Sequence, residues 1–287
     1  MRATAFLIAG LLPGLLSGTG HAQQPTFSTR VDVVRVDVLV TDDKKVVGGL
    51  KAEQFEVLDN GVAQQIDLAS FGDLPIDVIL ALDLSESLTG ERLDHLRTAG
   101  RAVIRGLKPD DRAGLLTFNH KLTLRQNLTG DRSKVDAALE EAEPVGQTAV
   151  VDGTYASLLL GQADAGRDLL IVFSDGLDTA SWLTEASVIE AARRANMTVY
   201  GVTVRENGRS EFLEKVVEAT GGAMVEIEST RDLSQTLVAI LDEFRQRYVV
   251  SYSPNGVVKS GWHKLQVRVK GRRATVKARA GYFGGNP

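Results

Sequence analysis

The sequence predicts an α/β protein: a doubly wound, mainly parallel sheet inserted in a small β module made of N- and C-terminal strands. Three observations carry this. From residue 75 to 247, short apolar runs alternate with amphipathic stripes, the pattern of repeated βα units. No helical pattern precedes residue 75. After Phe244 the sequence returns to strand-like alternation.

The chain has 287 residues, 43% hydrophobic and 24% charged, enough for one large domain or two modest ones. Residues 1–22 read as a secretory signal peptide: Arg2 is the charged start, Ala5 to Leu16 the apolar stretch, and Gly20-His21-Ala22 a small-x-small cleavage site. Pro13 and Gly14 interrupt that stretch, which is short for a membrane anchor. Past Ala22 no apolar run is long enough to span a bilayer, so the expectation is an exported protein, periplasmic or secreted, with no transmembrane segment after signal cleavage. With no cysteine in the chain, disulfides, thiolate chemistry and Cys-based zinc sites are excluded, and stability must come from the core.

Residues 23–73 form the N-terminal β segment. Val31–Val40 alternates apolar and polar with one slip at Val33-Val34, a half-buried strand with a bulge. Phe55–Leu58 and Gln65–Leu68 flank Asp59-Asn60-Gly61, a hairpin signal because Asn-Gly accepts positive φ at both turn positions. The α/β domain occupies 74–247. Its first strand is Ile76–Leu82, followed by a helix striped by Leu93, Leu96, Gly100, Val103 and Leu107. Arg112–Phe118 is the next strand, with Lys121–Gln126 beside it, and Ser133–Ala142 is a helix. Asp152 caps a helix holding Tyr155, Leu158 and Leu159. Strand, helix and strand follow at 168–174, 185–195 and 198–204, then a short helix at 211–219, a strand near Met224–Ile227 and a helix at 232–247. In the C-terminal β segment, 248–287, three runs alternate: Tyr248–Tyr252, Leu265–Val269 and Thr275–Arg279. The two flanks supply six or seven strands, enough for a small sandwich if they pair; the alternative is two separate hairpins packed on the α/β domain.

Charge is unevenly spread. Residues 73–247 carry 19 Lys/Arg against 29 Asp/Glu, whereas 248–287 carry 8 Lys/Arg and no acid. The acidic middle argues against nucleic acid and favours cations. The basic tail alternates with apolar residues, as a solvated sheet face does.

Chemistry concentrates at strand ends. Ile76–Leu82 delivers Asp83-Leu84-Ser85-Glu86-Ser87 to its carboxyl end, Leu169–Phe173 delivers Ser174-Asp175-Gly176, and Gly146-Gln147-Thr148 lies between them. In an open α/β sheet such loops converge outside the strand carboxyl ends. Residues i, i+2 and i+4 of an extended loop project to one side, so Asp83, Ser85 and Ser87 can face one ion. Carboxylate and hydroxyl oxygens suit Mg²⁺, Mn²⁺ or Ca²⁺ at one site. Two neutral hydroxyls leave such a cation under-neutralised and open to an external carboxylate. The plainer roles are a helix cap for Ser85 or Ser87 and a turn for Asp175; Asp178 reads as a solvated loop acid. His95, His120 and His263 have no ligand spacing, and no Gly-rich phosphate loop, nucleophile elbow or His-Glu-x-x-His occurs.

Asp-x-Ser-x-Ser after a buried strand, with Thr148 and Ser-Asp175-Gly in order behind it, closely resembles the metal-ion-dependent adhesion site of von Willebrand factor type A domains. The resemblance covers about residues 74–247. It implies that Ser85 and Ser87 ligate a divalent cation directly, and that Asp83, Thr148 and Asp175 do so directly or through water. Glu86 departs from the pattern, standing where a small residue is usual. The flanks, with Phe55-Glu-Val-Leu-Asp-Asn-Gly61, Tyr248-Val-Val-Ser-Tyr-Ser-Pro254 and Ala280-Gly-Tyr282, resemble a VWFA-related family first described in acidobacteria, implying a bacterial, exported protein. The expected function is an adhesion-type binding module, not an enzyme, with Mg²⁺ capturing an Asp or Glu carboxylate of a protein partner. The alternatives are a metal-dependent hydrolase, with Glu86, Asp152 or Asp178 as its base, and a structural envelope protein with a non-functional site.

Overall fold

The computed structural model describes residues 33–72, 74–161, 167–205 and 210–285. The signal peptide expected at 1–22 lies outside these residues. Among them, no helix is long and apolar enough to cross a membrane.

The α/β domain is built on a six-stranded sheet. Its strands are β6 (Ile76–Asp83), β7 (Arg112–Phe118), β8 (Leu122–Thr129), β9 (Arg167–Ser174), β10 (Met197–Val204) and β11 (Ala223–Ile227), in the order β11-β10-β9-β6-β7-β8. All neighbours are parallel except β8, which runs antiparallel to β7. β6, β9 and β10 are buried along their whole length, as strands covered on both faces must be. Alternate residues of β6 serve opposite layers. Ile76, Val78, Leu80 and Leu82 pack with α1 (Glu91–Gly106), α2 (Arg132–Glu140) and α6 (Leu233–Arg245). Ile79 and Ala81 pack with α3 (Val150–Leu158), α4 (Glu185–Arg194) and α5 (Glu211–Thr220). The strand order reverses beside β6, so the crevice that such sheets use for ligands opens at the carboxyl ends of β6 and β9.

Among the described residues the flanking segments make nine strands, two more than the larger number expected. They are β1 (Val34–Asp42), β2 (Lys45–Val46), β3 (Phe55–Asp59), β4 (Val62–Gln64), β5 (Ile66–Phe71), β12 (Tyr248–Tyr252), β13 (Gly261–Val269), β14 (Thr275–Lys277) and β15 (Gly281–Gly284). One sheet has the order β14-β1-β12-β5 with β2 on β1, and the other the order β15-β13-β3-β4. N- and C-terminal strands therefore share both sheets: Val36 of β1 pairs with Val250 of β12, and Val57 of β3 with Val267 of β13. A single core of Val36, Val38, Val40, Phe55, Val57 and Tyr248, among others, lies between the sheets. The Asn60-Gly61 turn has both residues at positive φ, 48° and 84°. It closes β3 onto β4, but the chain then switches sheets and β5 pairs with β12. The hairpin is thus shorter than its sequence signal. Buried in the same module, Asp59 accepts hydrogen bonds from Tyr252 (2.9 Å) and Tyr282 (2.8 Å) and lies 2.7 Å from His263 Nδ1.

Only Gln246 and Arg247 separate α6 from β12. Arg247 is wholly buried there, donating to the Gly221 carbonyl and the Tyr200 hydroxyl, each at 2.7 Å. Arg167 stacks on Phe244 at 4.4 Å and donates to Asp37 of β1 at 2.6 Å.

At the amino-terminal edge of β9, Asp168 is only 5% exposed and its Oδ1 has no hydrogen-bond partner among the described residues. Its neighbour Asp77 is taken by Arg112, whose Nε donates at 2.7 Å. Burial, then the Asp77 charge, pushes the Asp168 carboxyl up to about 7. The native state therefore holds a proton that the unfolded chain, with an ordinary value of about 3.9, gives up. The associated stability is complete at pH below about 4 and is lost as pH rises through about 7. Asp168→Asn should gain melting temperature relative to the wild type between pH about 5 and about 8. A flat difference in thermal melts across that range would show that Asp168 does not titrate there.

Candidate functional site at the carboxyl ends of β6 and β9

The site begins where β6 runs out. The Leu84 amide extends the ladder by donating to the Phe118 carbonyl at 2.7 Å, and buried Leu84 and Leu88 pin the loop between them to the core. That loop meets residues 145–146 through two backbone bonds, Val145 N to Leu84 O at 2.8 Å and Glu86 N to Gly146 O at 3.0 Å. Helix α1 starts only after Gly90, which caps it without a side-chain bond. Ser85 and Ser87 are therefore not its caps, and their hydroxyls are available for other contacts.

The three expected loops do converge. Ser85, Ser87, Thr148 and Asp175 line one open cleft, together with Glu86 and Gly176 among others. The Ser85 and Ser87 hydroxyls lie 3.0 Å apart, and Ser87 donates to Asp175 Oδ1 at 2.7 Å. Asp83 is fully buried beneath them, its Oδ1 accepting from the Ser85 amide at 2.9 Å and its Oδ2 from the Ser174 hydroxyl at 2.6 Å. Burial pushes the Asp83 carboxyl up to about 6; hydrogen bonds from Ser174 and Ser85 oppose the rise, and the Asp175 charge adds to it. Among the described residues no three His, Cys, Asp or Glu side chains group as a metal cage. The donor set here is two carboxylates and three hydroxyls.

One of two expectations about neighbouring acids is corrected. Asp152 is not the cap of α3: Ala149 holds that position, and Asp152 lies inside the helix. Its two oxygens accept from the Trp182 and Leu183 amides, each at 2.9 Å, because the 181–183 chain crosses over the start of α3 with unpaired N–H groups. Asp178 is an exposed loop acid, as expected, and it also meets the start of α3, accepting from the Val151 amide at 3.2 Å and from the Ser181 hydroxyl at 2.6 Å. Thr148 O accepts from the amides of Thr179 (2.9 Å) and Ala180 (3.0 Å), tying the same loop to the cleft wall.

Sequence reasoning also missed Arg92, whose Nη1 approaches Asp175 Oδ2 at 3.3 Å from the first turn of α1. No spacing rule links residues 83 apart. Ser174 belongs to the Ser-Asp-Gly motif, and its position directly before Asp175 at the end of β9 is the signal that could have identified it as the partner of Asp83. His95 hydrogen-bonds with Thr230 at 3.0 Å and His263 with Asp59; neither is in the cleft.

Residues 77–239 match the von Willebrand factor type A domain, and the chain belongs to that family. It is similar to the uncharacterized protein sll0103 of Synechocystis sp., 24% identical over 175 residues that cover 57% of this chain and 40% of that protein. Inter-alpha-trypsin inhibitor heavy chain H2 of Mus musculus is 19% identical over 203 residues, 65% of this chain and 22% of the other. The chain thus spans less than half the length of these curated relatives. Among solved structures, a von Willebrand factor type A protein from Catenulispora acidiphila aligns with 90% of this chain and 76% of its own at TM-score 0.53 and 13% identity. Proximal thread matrix protein 1 from the mussel byssus aligns at TM-score 0.55 and 14% identity, covering 65% of this chain and 51% of its own. The PilB minor pilin from Streptococcus sanguinis aligns at TM-score 0.51 and 14% identity, covering 60% and 62%. These likenesses establish the fold.

The Asp152 clamp is directly testable. Asp152→Ala removes both acceptors of the Trp182 and Leu183 amides, each bond being worth about 1 kcal/mol. Amide exchange in the 176–184 segment should accelerate by roughly tenfold, read by hydrogen-exchange mass spectrometry. Exchange equal to the wild type would mean that other contacts hold the loop.

Proposed function

We propose that the cleft binds one divalent cation, Mg²⁺ in the first instance, and through it a carboxylate of a protein partner, making this an exported binding module. The observation that carries the reading is the donor set itself. Three hydroxyls, Ser85, Ser87 and Thr148, and the carboxylate of Asp175 line one cleft above the buried carboxylate of Asp83. One fully buried acid and one at the cleft wall, beside three hydroxyls, offer the oxygen donors that a hard cation prefers. Ser85 and Ser87 would hold the ion, with Asp83, Thr148 and Asp175 joining directly or through water. With few direct carboxylates the bound ion keeps net positive charge, and it accepts an anionic oxygen from outside.

Ser87 and Arg92 now bond Asp175, and both bonds are to the carboxylate the ion would use. Binding therefore exchanges these bonds for metal ligation, with Arg92 left at the rim to face the incoming carboxylate.

The hydrolase reading asks for a base. Of the three candidates, Asp152 and Asp178 are committed to the loop clamp, each accepting backbone N–H groups, so that reading rests on Glu86 alone, which lines the cleft. The minor pilin and byssal matrix protein of the same fold are, by their names, parts of extracellular structures, and this supports an adhesive role. Export rests on the sequence of residues 1–22.

Residues 23–287 should bind Mg²⁺ at about one site by isothermal calorimetry. Asp83→Ala, and separately the uncharged pair Ser85→Ala with Ser87→Ala, should weaken it by tenfold or more, about 1.4 kcal/mol or above. Unaltered affinity in both variants would remove the cleft as the metal site.

A further inference from the structure

We propose that the loop 176–183 forms an apolar half of the partner site, so that the partner is a protein segment presenting one carboxylate flanked by an aromatic or large aliphatic side chain. This rests on the metal-capture reading above and adds what surrounds the captured acid.

Trp182 is 94% exposed, the most exposed large hydrophobic side chain among the described residues. Single exposed apolar residues are common, and the argument comes from how this one is held. Its amide and that of Leu183 are clamped by Asp152, itself 9% exposed. Thr179 and Ala180 are fastened to Thr148. Asp178 is fixed by the start of α3. The backbone that carries the indole is therefore bonded at almost every residue to elements that build the cleft. A flexible loop would lose entropy on ordering against a partner; this one is ordered beforehand. The same loop starts at Asp175, puts Leu177, 58% exposed, into the lining of the cleft, and carries Leu183, 39% exposed. Val145, 49% exposed, adds an apolar group on the neighbouring loop. A Trp on a held backbone, three residues beyond the cleft-lining Thr179, has the composition of an interface hot spot.

Charge narrows the occupant. Glu86 on the rim, Asp178 on the loop and Glu185 at the start of α4 are all exposed and negative. They oppose an anionic lipid surface and an acidic run, and the ion in the cleft, with Arg92 at its rim, offsets them for one carboxylate. The neighbours of that carboxylate are then uncharged or basic, with an apolar group for Trp182 and Leu177.

The test is selection of phage-displayed random seven-residue peptides on the full exported chain in Mg²⁺, with elution by EDTA, in parallel on Trp182→Ser. Trp182 packs on almost nothing, so the variant should melt as the wild type does and bind Mg²⁺ equally by calorimetry. Wild-type peptides should contain a single Asp or Glu with an aromatic or large aliphatic residue within about three positions. On Trp182→Ser the acid should remain and the apolar preference should vanish, and the best wild-type peptide should bind about tenfold more weakly. Acidic peptides without apolar neighbours, or an apolar preference that survives Trp182→Ser, would overturn this inference and leave metal capture standing. Loss of both the acid and the EDTA dependence would overturn both. Trp182-dependent binding to vesicles of phosphatidylcholine and phosphatidylglycerol, or Trp182-dependent self-association, would also overturn it by assigning the indole to a membrane or to a second copy.

Discussion

The site depends on one short contact, the 2.6 Å hydrogen bond from Ser174 to Asp83. β6 and β9 are adjacent parallel strands in register, Leu82 beside Phe173, and the bond sits at the residue after that pair. Because both strands are buried on both faces, their polar chemistry is displaced to their ends. The bond orients Asp83 so that its other oxygen receives the Ser85 amide, which turns the loop and sends Ser85 and Ser87 upward. It also fixes the start of the loop bearing Asp175. A single carboxylate in the core thus sets the relative height of two loops 88 residues apart, as the Ser87–Asp175 separation records.

Much of this was legible because parallel strands advertise themselves. Ile76–Leu82 and Leu169–Phe173 are unbroken apolar runs, and whatever follows such a run in this topology reaches the ligand end of the sheet. The Asp-x-Ser-x-Ser and Ser-Asp-Gly loops were therefore placed correctly from periodicity and order alone. The clamp behind them was not. Asp152 looked like a cap, and Asp178 like no more than a solvated acid, because local rules score a residue against its own helix or turn. Their partners across this crossing lie 27 to 31 residues away, in an arrangement set by tertiary packing. The β module was legible in outline and misjudged in detail for a similar reason: β2 and β4 have two and three residues, too few for period-two alternation to register. The sheet switch at Gln65 follows from which strand of the C-terminal segment is nearest, and nothing in residues 55–68 encodes that.

The α/β domain and the β module meet through arginines. Arg247 and Arg167 donate to carbonyls at the ends of α5 and α6, where helices leave acceptors unsatisfied, and their guanidinium faces lie against Tyr200 and Phe244. Flat, multiply donating groups suit a crowded seam better than lysines would. The basic excess of the C-terminal segment is a different population: Lys264 and Arg268 lie on β13, Lys277 on β14, and the other five outside these strands.

The pairing of β1 with β12 carries a mechanical meaning. Val34 lies opposite Tyr252 and Val38 opposite Tyr248, so the strand ends that receive load from residue 33 and from α6 stand at opposite ends of the pair. Tension between the leading chain and the α/β domain slides the two strands along each other. Force in that direction is shared by the whole ladder at once, whereas a pull at one end would open its bonds in succession. The resistance to stretching is therefore built into strand direction rather than into the strength of any one contact.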